Sequence, residues 1–160
     1  MKAEREKLNA KTVAAQLRLT NGEYQLQEGE DICRILLVSG SSCTLQRGEE
    51  AVLVNPGCVL LLGPGGGVLR QTGHLAPELT GCRFPAAALP ELKGVMQRDF
   101  GPLFEPDSQM VLYGPVQWSS RLRTLLNLMR SAAGEPDSPG MIYLSLLLHY
   151  VEQECKAERS

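Results

Sequence analysis

Two histidines, five cysteines and one glycine run are the residues of this chain whose types could do chemistry. His74 and His149 lie far apart and fall in regions of different periodicity, whereas a mononuclear metal site needs several His or carboxylate side chains converging on one point. No arrangement of serine or cysteine with either histidine suggests a nucleophilic triad. Cys33, Cys43, Cys58, Cys82 and Cys155 are odd in number, show no C-x-x-C spacing and sit mostly in apolar stretches. They read as small core residues in a reducing compartment. The run GPGGG at 63–67 suggests a phosphate loop, but it lacks the GK[ST] ending and leads into strand-like Val68-Leu69-Arg70, not into a helix. A hairpin turn is the reading that remains.

Arginines are the other candidates. Arg34 sits inside a strongly apolar stretch and Arg70 follows the glycine turn; each could meet a carboxylate or a sugar hydroxyl. The competing reading is a surface arginine laying its stem over apolar neighbours. His74 is either a loop residue or a ligand contact, and Tyr24 and Trp118 are expected to be packing residues. The predicted ligand-binding set is therefore Arg34, Arg70 and His74, with no catalytic residue, no metal and no cofactor.

The elements that must position these residues change character along the chain. From Ile32 to Phe84, short β-rich runs alternate with turns: ICRILLVS, then Gly40 to Ser42, then Cys43 to Gln46, the Arg47-Gly48 hairpin, Ala51 to Val54, Asn55-Pro56-Gly57, and the fully apolar CVLLL. Val68 to Gln71 and Leu79 to Phe84 follow, and Val13 to Leu19 reads as a strand or a helix before the Asn21-Gly22 turn. Crossovers between parallel strands need about a dozen residues, so strands this close must be antiparallel. Past Phe84 the period becomes helical: a short helix over Leu89 to Phe100, an irregular stretch to Pro115, then helices over 117–133 and 139–156 joined by GEPDS. The predicted fold is α+β, an antiparallel β-barrel or jelly roll over residues 1–88, with residues 1–10 flexible. A helical subdomain packed on it covers 89–160.

The last helix is apolar on more than one side, since in MIYLSLLLHYV only Ser145 and His149 are clearly polar. A surface helix normally shows one apolar stripe. One stripe here holds Leu144, Leu148, Val151 and Cys155, and another holds Tyr143, Leu147 and Tyr150. One of them is expected to face the fold and the other a second copy, giving a homodimer interface of Tyr143, Leu144, Leu147, Leu148 and Val151. The alternative is that the fold itself wraps the helix completely.

With 160 residues, 43% hydrophobic content, 21% charged residues and a formal net charge of -2, the composition is that of an ordinary globular protein. The sixteen Lys and Arg residues are scattered, and the densest charge run, KAEREK, mixes both signs. Direct nucleic-acid binding is therefore not expected. The charged N-terminus carries no apolar stretch of signal-peptide length, and the longest nearly apolar segment, Met141 to Val151, is too short to span a bilayer, so a cytoplasmic location is expected.

Gly57, Gly63, Pro64 and Gly65 resemble the second cupin motif, a glycine, an apolar strand and a P-x-G turn, with Val68 where a metal-binding histidine would stand. The first cupin motif, a histidine pair and a glutamate, has no counterpart at 32–36. A wider span, 32–160, is similar to the N-terminal effector-binding and dimerisation domain of AraC-type transcription regulators. The most specific part is G-x-x-x-x-L-x-x-G-E-x-x-x-L-x-x-P-G from Gly40 to Gly57. The resemblance implies a small-molecule effector inside the barrel, a homodimer, and control of a helix-turn-helix domain that this chain is expected to lack. The alternatives are a small metal-independent cupin enzyme, an isomerase or lyase, and a purely structural dimerisation module. An interior filled by its own leucines is the observation expected to overturn both the sensor and the enzyme readings.

Overall fold

In the strand Ile32–Ser39 (β3), neighbouring side chains take opposite faces of the pleat, and both faces are buried. Cys33, Ile35 and Leu37 enter one core, and Leu36 and Val38 enter another. Val59–Leu62 (β6) does the same, Val59 and Leu61 going one way and Leu60 and Leu62 the other. A sheet covered on both sides reads as unbroken apolar sequence, which is what ILLV and VLLL show.

The computed structural model describes residues 12–27, 29, 31–113, 118–132, 140–154 and 156–157. Around β3 and β6, Val13–Leu17 (β1), Glu78–Pro85 (β8), Gln109–Tyr113 (β9) and Lys156–Ala157 (β10) build an antiparallel sheet of order β1-β8-β3-β6-β9-β10. Glu23–Leu26 (β2), Gly67–Gln71 (β7), Cys43–Arg47 (β4) and Glu50–Val54 (β5) form a second, of order β2-β7-β4-β5. The second sheet packs on one face of the first through Leu26, Leu45, Val54 and Leu69. Helices Ala88–Met96 (α1), Trp118–Ala132 (α2) and Gly140–Glu154 (α3) cover the other face.

The α+β class and the antiparallel pairing agree with the sequence. The closed barrel does not: the described strands form two separate sheets. Close spacing requires antiparallel neighbours but leaves open which strands share a sheet. Here β1 and β2 are consecutive, yet they hydrogen-bond into different sheets. The stretch expected to be irregular contains β9, which pairs with β6 and extends the large sheet.

The first helix stops earlier than expected because Gln97 adopts a left-handed conformation (φ 55°) and donates its N–H to the Lys93 carbonyl. In α2, Leu122, Leu126 and Met129 form the buried stripe. In α3, Leu144, Leu147, Leu148 and Val151 are all at most 3% exposed in the chain's own core, and Tyr143 packs half-buried against it. This corrects the expected interface, since side chains so enclosed have no surface left for a partner. Both predicted stripes turn inward because the sheet and the neighbouring helices flank α3: Tyr150 lies 6.0 Å from the Arg121 guanidinium of α2, and Glu152 pairs with Arg98 at 2.6 Å. The side of α3 left to solvent carries Ile142 and Leu146 instead. Cys155 and the side chain of Trp118 lie outside the described residues. No described helix is long and apolar enough to cross a membrane.

Candidate functional site

Arg34 follows the pleat of β3 in phase with Leu36 and Val38, so its side chain enters the space between the two sheets. Only 6% of it is exposed, and it has no hydrogen-bonding or ion-pair partner among the described residues. Beside it, Leu17, Tyr24, Leu36 and Gly81 line a cavity of about 30 Å³. That is room for about one water molecule.

Arg47 reaches the same end of the sandwich from the opposite sheet. It is in phase with buried Cys43 and Leu45 on β4 and is also 6% exposed. Its Nη1 donates to the Ser108 carbonyl at 2.7 Å, and its Nη2 to the Gly63 carbonyl at 2.9 Å and the Gly65 carbonyl at 3.4 Å. Its Nε is buried with no acceptor. Burial lowers the Arg47 pKa; the nearby Asp107 carboxylate opposes that shift and the Arg34 charge adds to it. The Arg34 guanidinium therefore lies close enough for the two charges to repel each other. Register agrees, since Arg34 stands opposite Leu62, the residue before the Gly63 carbonyl that Arg47 holds.

The glycine run is a docked turn. Gly63 donates its N–H to the Ser108 carbonyl at 3.1 Å, and Asp107 donates to the Pro64 carbonyl at 2.7 Å. A Cβ on Gly63 would fall on the Glu105 carbonyl oxygen, and Gly65 combines φ 142° with a close Asp107 carboxylate. Arg47 ties this turn to the one at 105–108, and a strand follows the glycines, not a helix N-terminus.

The structure separates the other predicted site residues from Arg34. Arg70 lies on the outer face of the small sheet, its Nε 2.9 Å from Glu23 Oε1 and its Nη1 2.6 Å from Gln46 Oε1. His74 is exposed in the loop between β7 and β8, beyond the end of β7 remote from Gly67. Tyr24 packs against the core between the sheets, as expected. Arg47 was missed as a candidate because its hairpin position reads as a turn; the available signal was the Cys43, Leu45, Arg47 alternation.

Arg47, Arg70, Gln25, Gln46 and Asp107 border an open cleft of about 1250 Å³ at this end. The middle of the sandwich is closed. Leu45, Leu60, Leu62, Leu69 and Leu79 have no accessible surface, so none faces a void large enough for water. An effector deep inside, as a barrel would allow, finds no room among the described residues. The nearly buried polar side chains at this end are the guanidiniums of Arg34 and Arg47, groups that bind anions without taking or giving protons near neutral pH. Among the described residues, no group of three or more His, Cys, Asp or Glu side chains could hold a metal.

No family model matches the chain, and no curated protein matches it. Solved structures do. An apo ToxT variant from Vibrio cholerae superposes with a TM-score of 0.62 at 13% identity, over 89% of this chain and 56% of that one. Wild-type Vibrio cholerae ToxT bound to an unsaturated fatty acid gives 0.52 at 14% identity, over 89% and 54%. The AraC-like transcriptional activator CuxR gives 0.50 at 13% identity, over 95% and 55%. The chain has the fold of the matched part of these AraC-family regulators. It spans little more than half the length of these proteins.

Proposed function

We propose that the chain is the ligand-binding regulatory domain of an AraC-type transcription regulator, a cupin-derived sandwich that senses a small molecule and controls a separate DNA-binding domain. The observation that carries this reading is a nearly buried cation, Arg34, which no described group neutralises, in a fold shared with ToxT and CuxR. Burying an unpaired charge is costly, and a site that does so is a candidate for function. The bound fatty acid of ToxT supports small-molecule binding as the use of this fold. The packed interior is the outcome expected to overturn a sensor with its effector inside the sandwich, and the reading stands only with the effector outside that core, at the end of the sandwich that carries Arg34 and Arg47.

The output requires pairing. The reading includes a homodimer through the solvent side of α3, where Ile142 and Leu146 are exposed. Guanidiniums as the gathered polar groups favour binding over acid–base catalysis. The test is to fuse the 160 residues to a DNA-binding domain that represses a reporter only when dimeric. Repression above that of the DNA-binding domain alone, relieved by Ile142→Glu with Leu146→Glu, is expected. Repression equal to the unfused domain would sink the regulatory reading.

A further inference from the structure

Arg34 and Arg83 stand directly opposite each other in the antiparallel pairing of β3 with β8. Residues so paired send their side chains to the same face of the sheet, with Cβ atoms about 4.5–5.5 Å apart, and like charges in that relation are destabilising. The other cross-strand neighbours are Leu62 beside Arg34 and Val13 beside Arg83. Two positions along each strand on the same face stand Ile32, Leu36, Gly81 and Pro85. None of these is an acid. Neither arginine has a hydrogen-bonding or ion-pair partner among the described residues. Arg34 is 6% exposed, and Arg83 is exposed.

One cavity joins the pair. Both arginines line the void of about 30 Å³, with Leu17, Leu36 and the bare backbone of Gly81 on their own sheet and Tyr24 on the opposite one. A space of about one water molecule admits a monoatomic ion and excludes a phosphate, a sugar or a carboxylate with its carbon skeleton. Leucine walls cannot keep a hydration shell on that ion, so an anion that sheds water readily is favoured. The guanidinium, itself weakly hydrated, suits such an anion.

We propose that Arg34 and Arg83 hold a single halide ion, chloride or bromide, in this cavity, Arg34 from within the sandwich and Arg83 from its exposed end. The ion neutralises a buried charge and offsets the repulsion between the facing arginines. The inference rests on the regulatory reading for its purpose and deepens it by giving Arg34 a counter-ion, while its chemistry stands on strand register and cavity size.

The test compares thermal unfolding of the 160-residue chain in sodium fluoride, chloride, bromide and acetate at equal ionic strength. Exclusion of salts from protein surfaces makes the strongly hydrated fluoride a better general stabiliser than chloride or bromide, so a halide site is expected to reverse that order. Chloride and bromide are expected to raise Tm by about 2 °C or more above fluoride and acetate. Arg34→Met is expected to raise Tm in fluoride, because an apolar side chain replaces an unpaired buried charge, and to remove the chloride and bromide increment. Arg83→Met, at an exposed position, is expected to keep the fold and reduce the increment, whereas Arg123→Met, exposed on α2, leaves it unchanged. The chloride nuclear magnetic resonance line should broaden when the parent chain is added, narrow again as bromide competes, and stay narrow with Arg34→Met. An order that keeps fluoride first, or an increment that survives both Arg34→Met and Arg83→Met, overturns the site. Acetate stabilising as much as bromide overturns the ion class. Either result leaves the regulatory reading to the reporter fusion, which decides it separately.

Discussion

Arg34, Arg47 and Arg70 all sit in strands, and the pleat sorts them more decisively than their neighbours in sequence do. Arg34 and Arg47 are in phase with inward residues, whereas Arg70 is out of phase with buried Leu69 and meets Glu23 on the outer face. Arg34 was legible from its apolar stretch. Arg70 borders the open cleft from the outer face of the small sheet, and Arg47 was hidden because its hairpin position reads as a turn, although the Cys43, Leu45, Arg47 alternation carried the signal. The cysteines were read correctly as core residues wherever the structure describes them as buried. Burial pushes the Cys33 and Cys82 thiols up to about 12 and Cys43 up to about 11, from 9.0. The folded state thus keeps protons that the unfolded chain releases. Stability from these thiols is intact below about pH 9 and is lost as pH rises toward 12. At pH 8, Ellman's reagent should leave Cys33, Cys43 and Cys82 unmodified in the native chain and modify them after urea unfolding. Rapid native labelling of any of the three, located by peptide mass, would contradict their burial.

Among elements, β3 and β6 were the most legible, because unbroken apolar runs between turn signals leave a strand little choice. The strand β9 was lost among prolines; its pairing depends on the turn at 105–108, which is fixed by tertiary contacts with Gly63 and Arg47 and not by local sequence. That dependence can be measured. Gly63→Ala places a methyl against the Glu105 backbone, which cannot yield without moving the turn, and should cost about 2–4 kcal/mol in urea unfolding. Gly73→Ala, where a Cβ meets nothing, should stay within about 0.5 kcal/mol of the parent. Equal effects from the two substitutions would mean that the turn is not docked as described. The ends of α1 show the same limit on a smaller scale, because Gln97 ends the helix by a backbone conformation that residues other than glycine seldom adopt.

At the scale of the whole molecule, antiparallel class and helical ending were readable, while the division into two sheets was not, since local turn chemistry carries no information about which edges meet. The same reason explains α3. Its excess of apolar residues correctly signalled cover on more than one side, but periodicity cannot say whether that cover is the chain itself or a second copy. The structure assigns Leu144, Leu147, Leu148 and Val151 to the chain and leaves Ile142 at 63% and Leu146 at 49% exposure, one turn apart on the outer side. Burial and pairing can therefore be separated by substitution. Leu148→Ala should destabilise the fold by about 2–5 kcal/mol, as a core truncation does. Ile142→Glu with Leu146→Glu should change unfolding by less than about 1 kcal/mol, because both side chains are already wet. If the outer side of α3 joins two copies, light scattering at high micromolar concentration gives twice the chain mass for the parent and the single mass for the double variant. A parent that scatters as a monomer counts against the regulatory reading itself, whose output requires pairing, and a double variant that remains dimeric moves the interface to another element.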